Sequence, residues 1–205
     1  MKLDRQQRGH MKRICVFAGS SVGGRAEYLN AAEDLGRALA EGGIGLVYGG
    51  ARVGLMGALA DAVLTLRGDV TGVMPEALVA KEVAHTGLPD LRVVSSMHER
   101  KALMAELSDA FVALPGGFGT LDELLEQLTW SQLGLHEKPV GLFDVAEYWR
   151  PLIALARHAT EEGFVRESDL GAIAVGPDAE GLLDRLERMT REARPRPKWS
   201  RPPAP

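Results

Sequence analysis

The 205-residue sequence predicts a single α/β domain, a doubly wound parallel sheet with helices on both faces, and three observations carry that reading. Short apolar runs alternate with segments of helical period, the pattern of parallel strands joined by crossing helices. Three of those runs end in a glycine-rich turn that leads straight into a helix. With 45% hydrophobic residues, the chain also has enough apolar side chains for a full core.

Taken in order, residues 13–18 read as the first strand, because Ile14 to Ala18 is an unbroken apolar run too short for a helix. Gly19-Ser20-Ser21 then leads to a helix with Tyr28, Ala32, Leu35 and Leu39 on one face. A second strand over 45–48 runs into Gly49-Gly50 and a helix over 54–67. A third strand over 69–74 ends at Pro75, and the stretch 76–89 has neither strand nor helix pattern. The fourth strand is expected over 91–94, with a helix over 97–108 behind it, and the fifth over 110–114. A Pro-Gly-Gly turn follows, then a helix over 120–133. A sixth strand over 139–143, a helix over 148–162, a short strand over 172–175 and a closing helix over 178–193 complete the chain. No internal repeat and no second domain are apparent.

Charge divides the chain unevenly. The overall net charge of −4 is the sum of +4 over residues 1–13, +4 over 194–205 and −12 for the body between them. We therefore expect a basic N-terminal extension (1–12), one folded domain (13–193) and a flexible Pro/Arg-rich tail (194–205). A body so acidic is poorly suited to nucleic acid, whose affinity comes mainly from Lys and Arg neutralising phosphates. No apolar run approaches the roughly 20 residues that span a bilayer. The basic opening lacks the apolar h-region and cleavage site of a signal peptide. A cytoplasmic location without membrane contact is the expectation. The single Cys15 and five scattered histidines offer no disulfide and no zinc site, so neither metal nor cofactor is expected.

Ligands of open parallel sheets sit beyond the carboxyl ends of the strands, where the strand order reverses. Three glycine turns fall there: Gly19-Ser20-Ser21-Val22-Gly23-Gly24, Gly49-Gly50-Ala51-Arg52-Val53-Gly54, and Pro115-Gly116-Gly117-Phe118-Gly119-Thr120. Glycine lets backbone N–H groups approach a phosphate, and the helix N-terminus adds partial positive charge. Glycine also serves tight turns that bind nothing. A dinucleotide is disfavoured, since the first turn is not G-x-G-x-x-G and the second strand ends in Tyr48-Gly49-Gly50 without an acid; no G-x-x-x-x-G-K-[ST] is present either. A mononucleotide or sugar phosphate remains, with Gly19, Ser20, Gly50 and Gly116 among its candidate contacts.

The densest chemistry lies in residues 96–104 and 114–130. Arg100 and Lys101 fall in the opening turn of a helix, where cations oppose the macrodipole. Either they are solvated, or a phosphate or carboxylate meets them. His98 has no identified partner and stays unassigned. Glu123 admits two readings: it completes a capping box with Thr120, or, ionised near a helix N-terminus, it stabilises a cationic transition state or orients a water.

With these residues in view, YGGARVGLMG at 48–57, MHERK at 97–101 and PGGFGTLDE at 115–123 resemble the signature motifs of the Lonely Guy family, the cytokinin riboside 5′-monophosphate phosphoribohydrolases. The resemblance spans roughly residues 13–190. It implies a Rossmann-like fold, a homodimer, and hydrolysis of the N-glycosidic bond of AMP or N6-modified AMP to free base and ribose 5-phosphate. It also implies Arg100 and Glu123 as the catalytic pair, and Glu82, Lys101, Gly117, Phe118, Gly119, Thr120 and Thr129 as substrate contacts. Two positions depart from the family pattern: Ala51 replaces a common third glycine, and Asp122 replaces a glutamate. The older label "lysine decarboxylase" finds no support, because no lysine is singled out for a pyridoxal phosphate Schiff base. Similar folds carry ligands such as molybdenum cofactor, so a nucleotide- or cofactor-binding carrier is the alternative. A carrier has no need for a carboxylate at the sugar.

Overall fold

A computed structural model of the chain describes residues 11–79 and 84–192. Seven strands, β1 (Arg13–Phe17), β2 (Gly45–Tyr48), β3 (Val70–Pro75), β4 (Asp90–Val94), β5 (Ala110–Ala113), β6 (Val140–Phe143) and β7 (Ile173–Gly176), form one sheet. All pair in parallel, in the order β4-β3-β2-β1-β5-β6-β7. The helices are α1 (Ala26–Gly42), α2 (Gly54–Thr65), α3 (Glu76–Val79), α4 (Met97–Glu106), α5 (Phe118–Gln132), α6 (Arg150–Glu161), α7 (Glu167–Leu170) and α8 (Ala179–Glu192). The expected doubly wound parallel sheet is what the chain builds.

Strands β2, β3, β5 and β6 are buried at every position, which is why they read as continuous apolar runs rather than alternating ones. Successive residues of β1 face opposite layers. Ile14 and Val16 join Leu35, Tyr48, Leu59 and Leu182 in one core, while Cys15 and Phe17 join Val47, Phe111, Leu124 and Trp149 in the other. Edge strand β4 instead carries exposed Arg92 paired with Asp90 at 3.3 Å, charges that suit a strand with an open side. Helices α1 and α2 approach closely because Gly36 has no side chain: a methyl there would stand 2.7 Å from Ala62 Cβ and from the Leu59 carbonyl.

The register aligns the functional ends. Val16 lies opposite Tyr48 of β2 and Val112 of β5, so the turns that follow these strands start at one level. The chain leaves β1 for β2, β3 and β4 on one side and returns to the other side at β5, which makes the β1–β5 gap the topological switch point.

Several boundaries differ from the sequence reading. Helix α5 starts at Phe118 rather than Thr120, because Gly117 serves as N-cap and the Leu121 N–H already bonds the Gly117 carbonyl at 3.1 Å. Helix α6 starts at Arg150 rather than residue 148; a 3-10 turn over Val145–Glu147 precedes it, and the Asp144 carboxylate accepts the Trp149 N–H at 2.8 Å. The single-turn helices α3 and α7 had no helical period long enough to read. Among the described residues, no helix is long and apolar enough to cross a membrane. Glu82, most of the expected basic extension and the expected tail lie outside the described residues.

Candidate active site

The three glycine turns meet at the switch point. The Gly19 N–H donates to the Pro115 carbonyl at 3.2 Å, and the Leu55 N–H donates to the Gly19 carbonyl at 3.0 Å. The first turn is thereby stitched to the other two. Gly54 has φ of 61°, and a methyl on it would overlap the backbone of Ser20, so glycine is required there twice over. Beyond this seam α5 opens toward solvent. With Leu121 as its first intrahelical donor, the N–H groups of Phe118, Gly119 and Thr120 have no partner within the helix, and methyls on Gly117 or Gly119 would meet nothing within 4 Å. An anion fits that space.

Beside this opening, α4 and α5 bring together five charges. Arg100 Nη1 lies 3.3 Å from Glu123 Oε1, and Arg100 Nε donates to the Val73 carbonyl at 3.0 Å. Lys101 Nζ lies 3.1 Å from Asp122 Oδ2 and 2.9 Å from Glu126 Oε1. The side chains of Arg100, Lys101 and Glu123 are only 10–11% exposed. Both cations therefore meet carboxylates, and the solvated alternative falls. Three acids against two bases leave the cluster with one surplus negative charge, and Glu126 Oε2 is buried without a partner.

The capping reading of Glu123 is corrected. Thr120 is the third residue of α5, buried with its hydroxyl against Gly116, and Glu123 is the sixth residue, turned toward Arg100. A side-chain cap forms instead at α4. Ser96 Oγ accepts the Glu99 N–H at 3.2 Å, and the Glu99 carboxylate accepts from Ser95 N and Oγ at 2.8 and 2.7 Å, which lowers its pKa. That acid in the first turn offsets the cations just behind it. Burial raises the Glu123 pKa and outweighs the opposing pull of Arg100, so the cleft does not hold this carboxylate as firmly ionised as its place near a helix start suggests. Burial alone would lower the Lys101 pKa, but bonds to Glu126 and Asp122 raise it overall. Cys15 lies fully buried in β1 with its thiol pushed up by burial, which makes it a poor nucleophile.

The other sequence candidates are placed as follows. Gly19, Gly116 and Thr120 line the seam, and Gly50 is buried against Leu91 and Met74; Ser20, Gly117, Phe118 and Gly119 are exposed, Phe118 at 92%. Thr129 sits on the outer side of α5, its hydroxyl bonded to the Leu125 carbonyl at 2.7 Å, away from the Arg100–Glu123 pair. His98 is exposed. Ala51 is accommodated, buried and bridged to Ala84, and Asp122 still reaches Lys101 despite its shorter side chain. Sequence reasoning missed Glu126, and it missed that a methyl on Gly49 would overlap the Arg100 guanidinium. It also missed Tyr148, whose hydroxyl donates to the Gly116 carbonyl and whose ring meets Tyr28 edge-on at 6.0 Å. The spacing of Glu126 from Asp122 and Glu123 on one helix was a usable signal; the other two contacts span too much sequence to have left one. Among the described residues, no cluster of three or more His, Cys, Asp and Glu has the arrangement of a metal site.

By its sheet order and the position of its charged cleft, the chain is a Rossmann-type α/β protein. Solved molybdenum cofactor carrier protein from Chlamydomonas reinhardtii shares this fold, with a TM-score of 0.67 at 22% identity over 89% of this chain and 99% of that one. That likeness speaks for the fold alone. The family model described as "Possible lysine decarboxylase" matches residues 56–186. Cytokinin riboside 5′-monophosphate phosphoribohydrolases of Rhodococcoides fascians (51% identical, 87% of this chain and 90% of that protein) and Arabidopsis thaliana (47%, 86% and 83%) match most of the chain. A homologue of the same name from Oryza sativa subsp. japonica is 46% identical over 91% of this chain and 77% of its own. The chain belongs to this family, the Lonely Guy proteins.

Proposed function

We propose that the protein hydrolyses the N-glycosidic bond of AMP or an N6-modified AMP, a cytokinin riboside 5′-monophosphate, to release the free base and ribose 5-phosphate. The observation that carries this reading is the buried Glu123 carboxylate, held 3.3 Å from Arg100 beside the open N-terminus of α5. The relatives named for this reaction, at 46–51% identity, support it. Cleavage builds oxocarbenium character on the ribose. A cluster with one surplus negative charge in a half-dry cleft favours that developing cation. Glu123 faces the ribose and the attacking water, whose oxygen bonds to C1′ while a proton goes to the departing base; Arg100 orients the carboxylate. Gly19, Ser20, Gly50 and the run Gly116, Gly117, Phe118, Gly119, Thr120 bind the 5′-phosphate, which ties remote binding energy to the reacting centre. Lys101 braces the site through Asp122 and Glu126. No cofactor enters these steps.

The working unit in this reading is a homodimer in the cytoplasm, acting on a small nucleotide and on neither nucleic acid nor membrane. Thr129 supports the dimer, because on the outer side of α5 it can serve a base pocket only if that face is covered. So do exposed Leu125, Leu133 and Leu155 and the apolar groove of about 330 Å³ between α5 and α6, lined by Leu125, Leu128, Leu152 and Ile153.

Chromatography of the base released from AMP and N6-isopentenyl AMP tests the reaction. Glu123→Ala and Arg100→Ala should each abolish release, and near-normal turnover in well-folded Glu123→Ala would overturn the mechanism. Light scattering tests the assembly: a 22 kDa species with full activity would refute the dimer.

A further inference from the structure

We propose that His85 is a positioning residue of the hydrolytic centre, acting through the Gly49–Gly50 turn on the guanidinium of Arg100; this rests on Arg100 and Glu123 being the reacting pair. Three contacts fasten the residue. Its backbone N–H donates to the Gly50 carbonyl at 2.9 Å, Nδ1 accepts the Gly87 N–H at 3.1 Å, and Nε2 lies 3.0 Å from Asp61 Oδ1. Because a backbone N–H can only donate, Nδ1 carries the lone pair; the network thus assigns the proton to Nε2, which donates to Asp61. The ring is 12% exposed, and both of its nitrogens are occupied.

What the ring anchors is the backbone strip that holds the turn after β2. Ala84 bridges Ala51 in antiparallel fashion, so residues 84 and 85 lie along that turn as a short ribbon, tied to helix α2 through Asp61. Gly50 has φ of 76°, and Leu91 and Met74 close over its Cα. Its neighbour Gly49 is the surface on which the Arg100 guanidinium rests, too close for any side chain to intervene. A path therefore runs from Asp61 through the imidazole to the backbone of residue 85, whose N–H bonds the Gly50 carbonyl, then across one residue to Gly49 and onto the cation paired with Glu123. Without the ring the backbone bond to Gly50 remains but loses its anchors to Asp61 and Gly87, so the turn can shift by a fraction of an ångström, and Arg100 shifts with it. Misplacements on that scale affect the reacting geometry more than the ground-state grip on a nucleotide whose phosphate is held mainly by the turns after β1 and β5.

The test compares wild type, His85→Ala, His85→Gln, His85→Asn and Asp61→Ala for base release from AMP, with melting curves and hydrogen exchange of the peptide spanning residues 49–52. We expect His85→Ala to lower kcat by about tenfold to a hundredfold, with KM changed by less than about threefold. Exchange at 49–52 should rise. Glutamine places an amide near the Nε2 position and should restore more than half of the lost kcat, whereas asparagine, which reproduces only the Nδ1 contact, should not. A folded His85→Ala protein with kcat within about twofold of wild type, or a loss confined to KM, overturns the proposal. Should His85→Ala fail to fold, Asp61→Ala decides, since it removes only an exposed carboxylate: a several-fold loss of kcat supports the path and an unchanged kcat overturns it. If wild type releases no base from any nucleotide, the functional reading itself fails. The exchange readout then stands alone, with faster exchange at 49–52 supporting the coupling and unchanged exchange refuting it.

Discussion

The turn after β2 and the turn after β5 both end a buried strand in glycines and both flank Arg100 and Glu123, yet their surroundings are opposite. Gly49 is buried, and the space its side chain would fill is occupied by the guanidinium of Arg100. Gly119 is exposed, and the space its side chain would fill is empty. In the first turn glycine makes room for a residue of the protein, and in the second it leaves room for a ligand. A glycine motif read in sequence thus covers two physical demands, and only the atom nearest a hypothetical methyl separates them.

The strongest test of the contrast is Gly49→Ala. The atom displaced is the far end of a flexible side chain, so the fold should survive with a melting temperature lowered by only a few degrees. Arg100, however, must leave Glu123, and kcat should fall by about a hundredfold or more, as for a misplaced catalytic group. Wild-type turnover with a large loss of stability would mean that Gly49 serves packing alone.

Gly119→Ala should behave in the opposite way. Replacing an unhindered helical glycine gains up to about 1 kcal/mol, so the melting temperature should rise. The new methyl stands beside the unpartnered N–H groups, and the KM for AMP should rise about tenfold, equivalent to roughly 1.4 kcal/mol of lost phosphate binding. Adenosine, which has no phosphate to lose, should be little affected. Equal losses on both substrates would remove the phosphate from this turn.

Between the two turns lies Glu123, and its ionisation should be visible in stability. Burial raises its pKa above 4.5 in the folded protein despite Arg100. A carboxyl raised in this way contributes stability that is fully present below the unfolded value and is lost as pH rises through the folded value. Glu123→Gln, which cannot ionise, should therefore melt higher than wild type at pH 7 to 8. The gap should close as pH falls through the raised folded value toward the unfolded one. A gap that widens on acidification would show that Arg100, rather than burial, governs this carboxylate.

The sequence made the scaffold legible because parallel strands buried on both faces leave unmistakable apolar runs: β2 over Gly45–Tyr48 matches its expected bounds, and the others shift by one residue or so. The glycine turns were legible for a similar reason, being local motifs at strand ends, whereas the pairing of Arg100 with Glu123 joins two helices and came only from the resemblance to the family. The start of α5 was misread because Thr120 and Glu123 have the spacing of a capping box, while Gly117 caps the helix without a side chain and leaves no such signature. His85 and Tyr148 were missed because their partners lie at Asp61, Gly50 and Gly116, contacts that only the folded sheet edge brings together.

Tyr148→Phe should have the smallest effect, and it separates the open turn from the scaffold behind it. The hydroxyl donates to the Gly116 carbonyl, one residue before the N-cap of α5, so it steadies the turn that presents the unpartnered N–H groups. Its ring stands edge-on to Tyr28, against which Gly23 of the first turn packs, and that contact survives in phenylalanine. A single neutral hydrogen bond contributes about 1 kcal/mol, and a half-exposed carbonyl can recruit water in its place. The KM for AMP should therefore rise by no more than about fivefold, with kcat and the melting temperature nearly unchanged. An effect of that size on AMP and none on adenosine would locate the role of the hydroxyl in phosphate binding. An equal effect on both substrates would assign Tyr148 to the scaffold and leave the open turn to hold its shape by α5 alone.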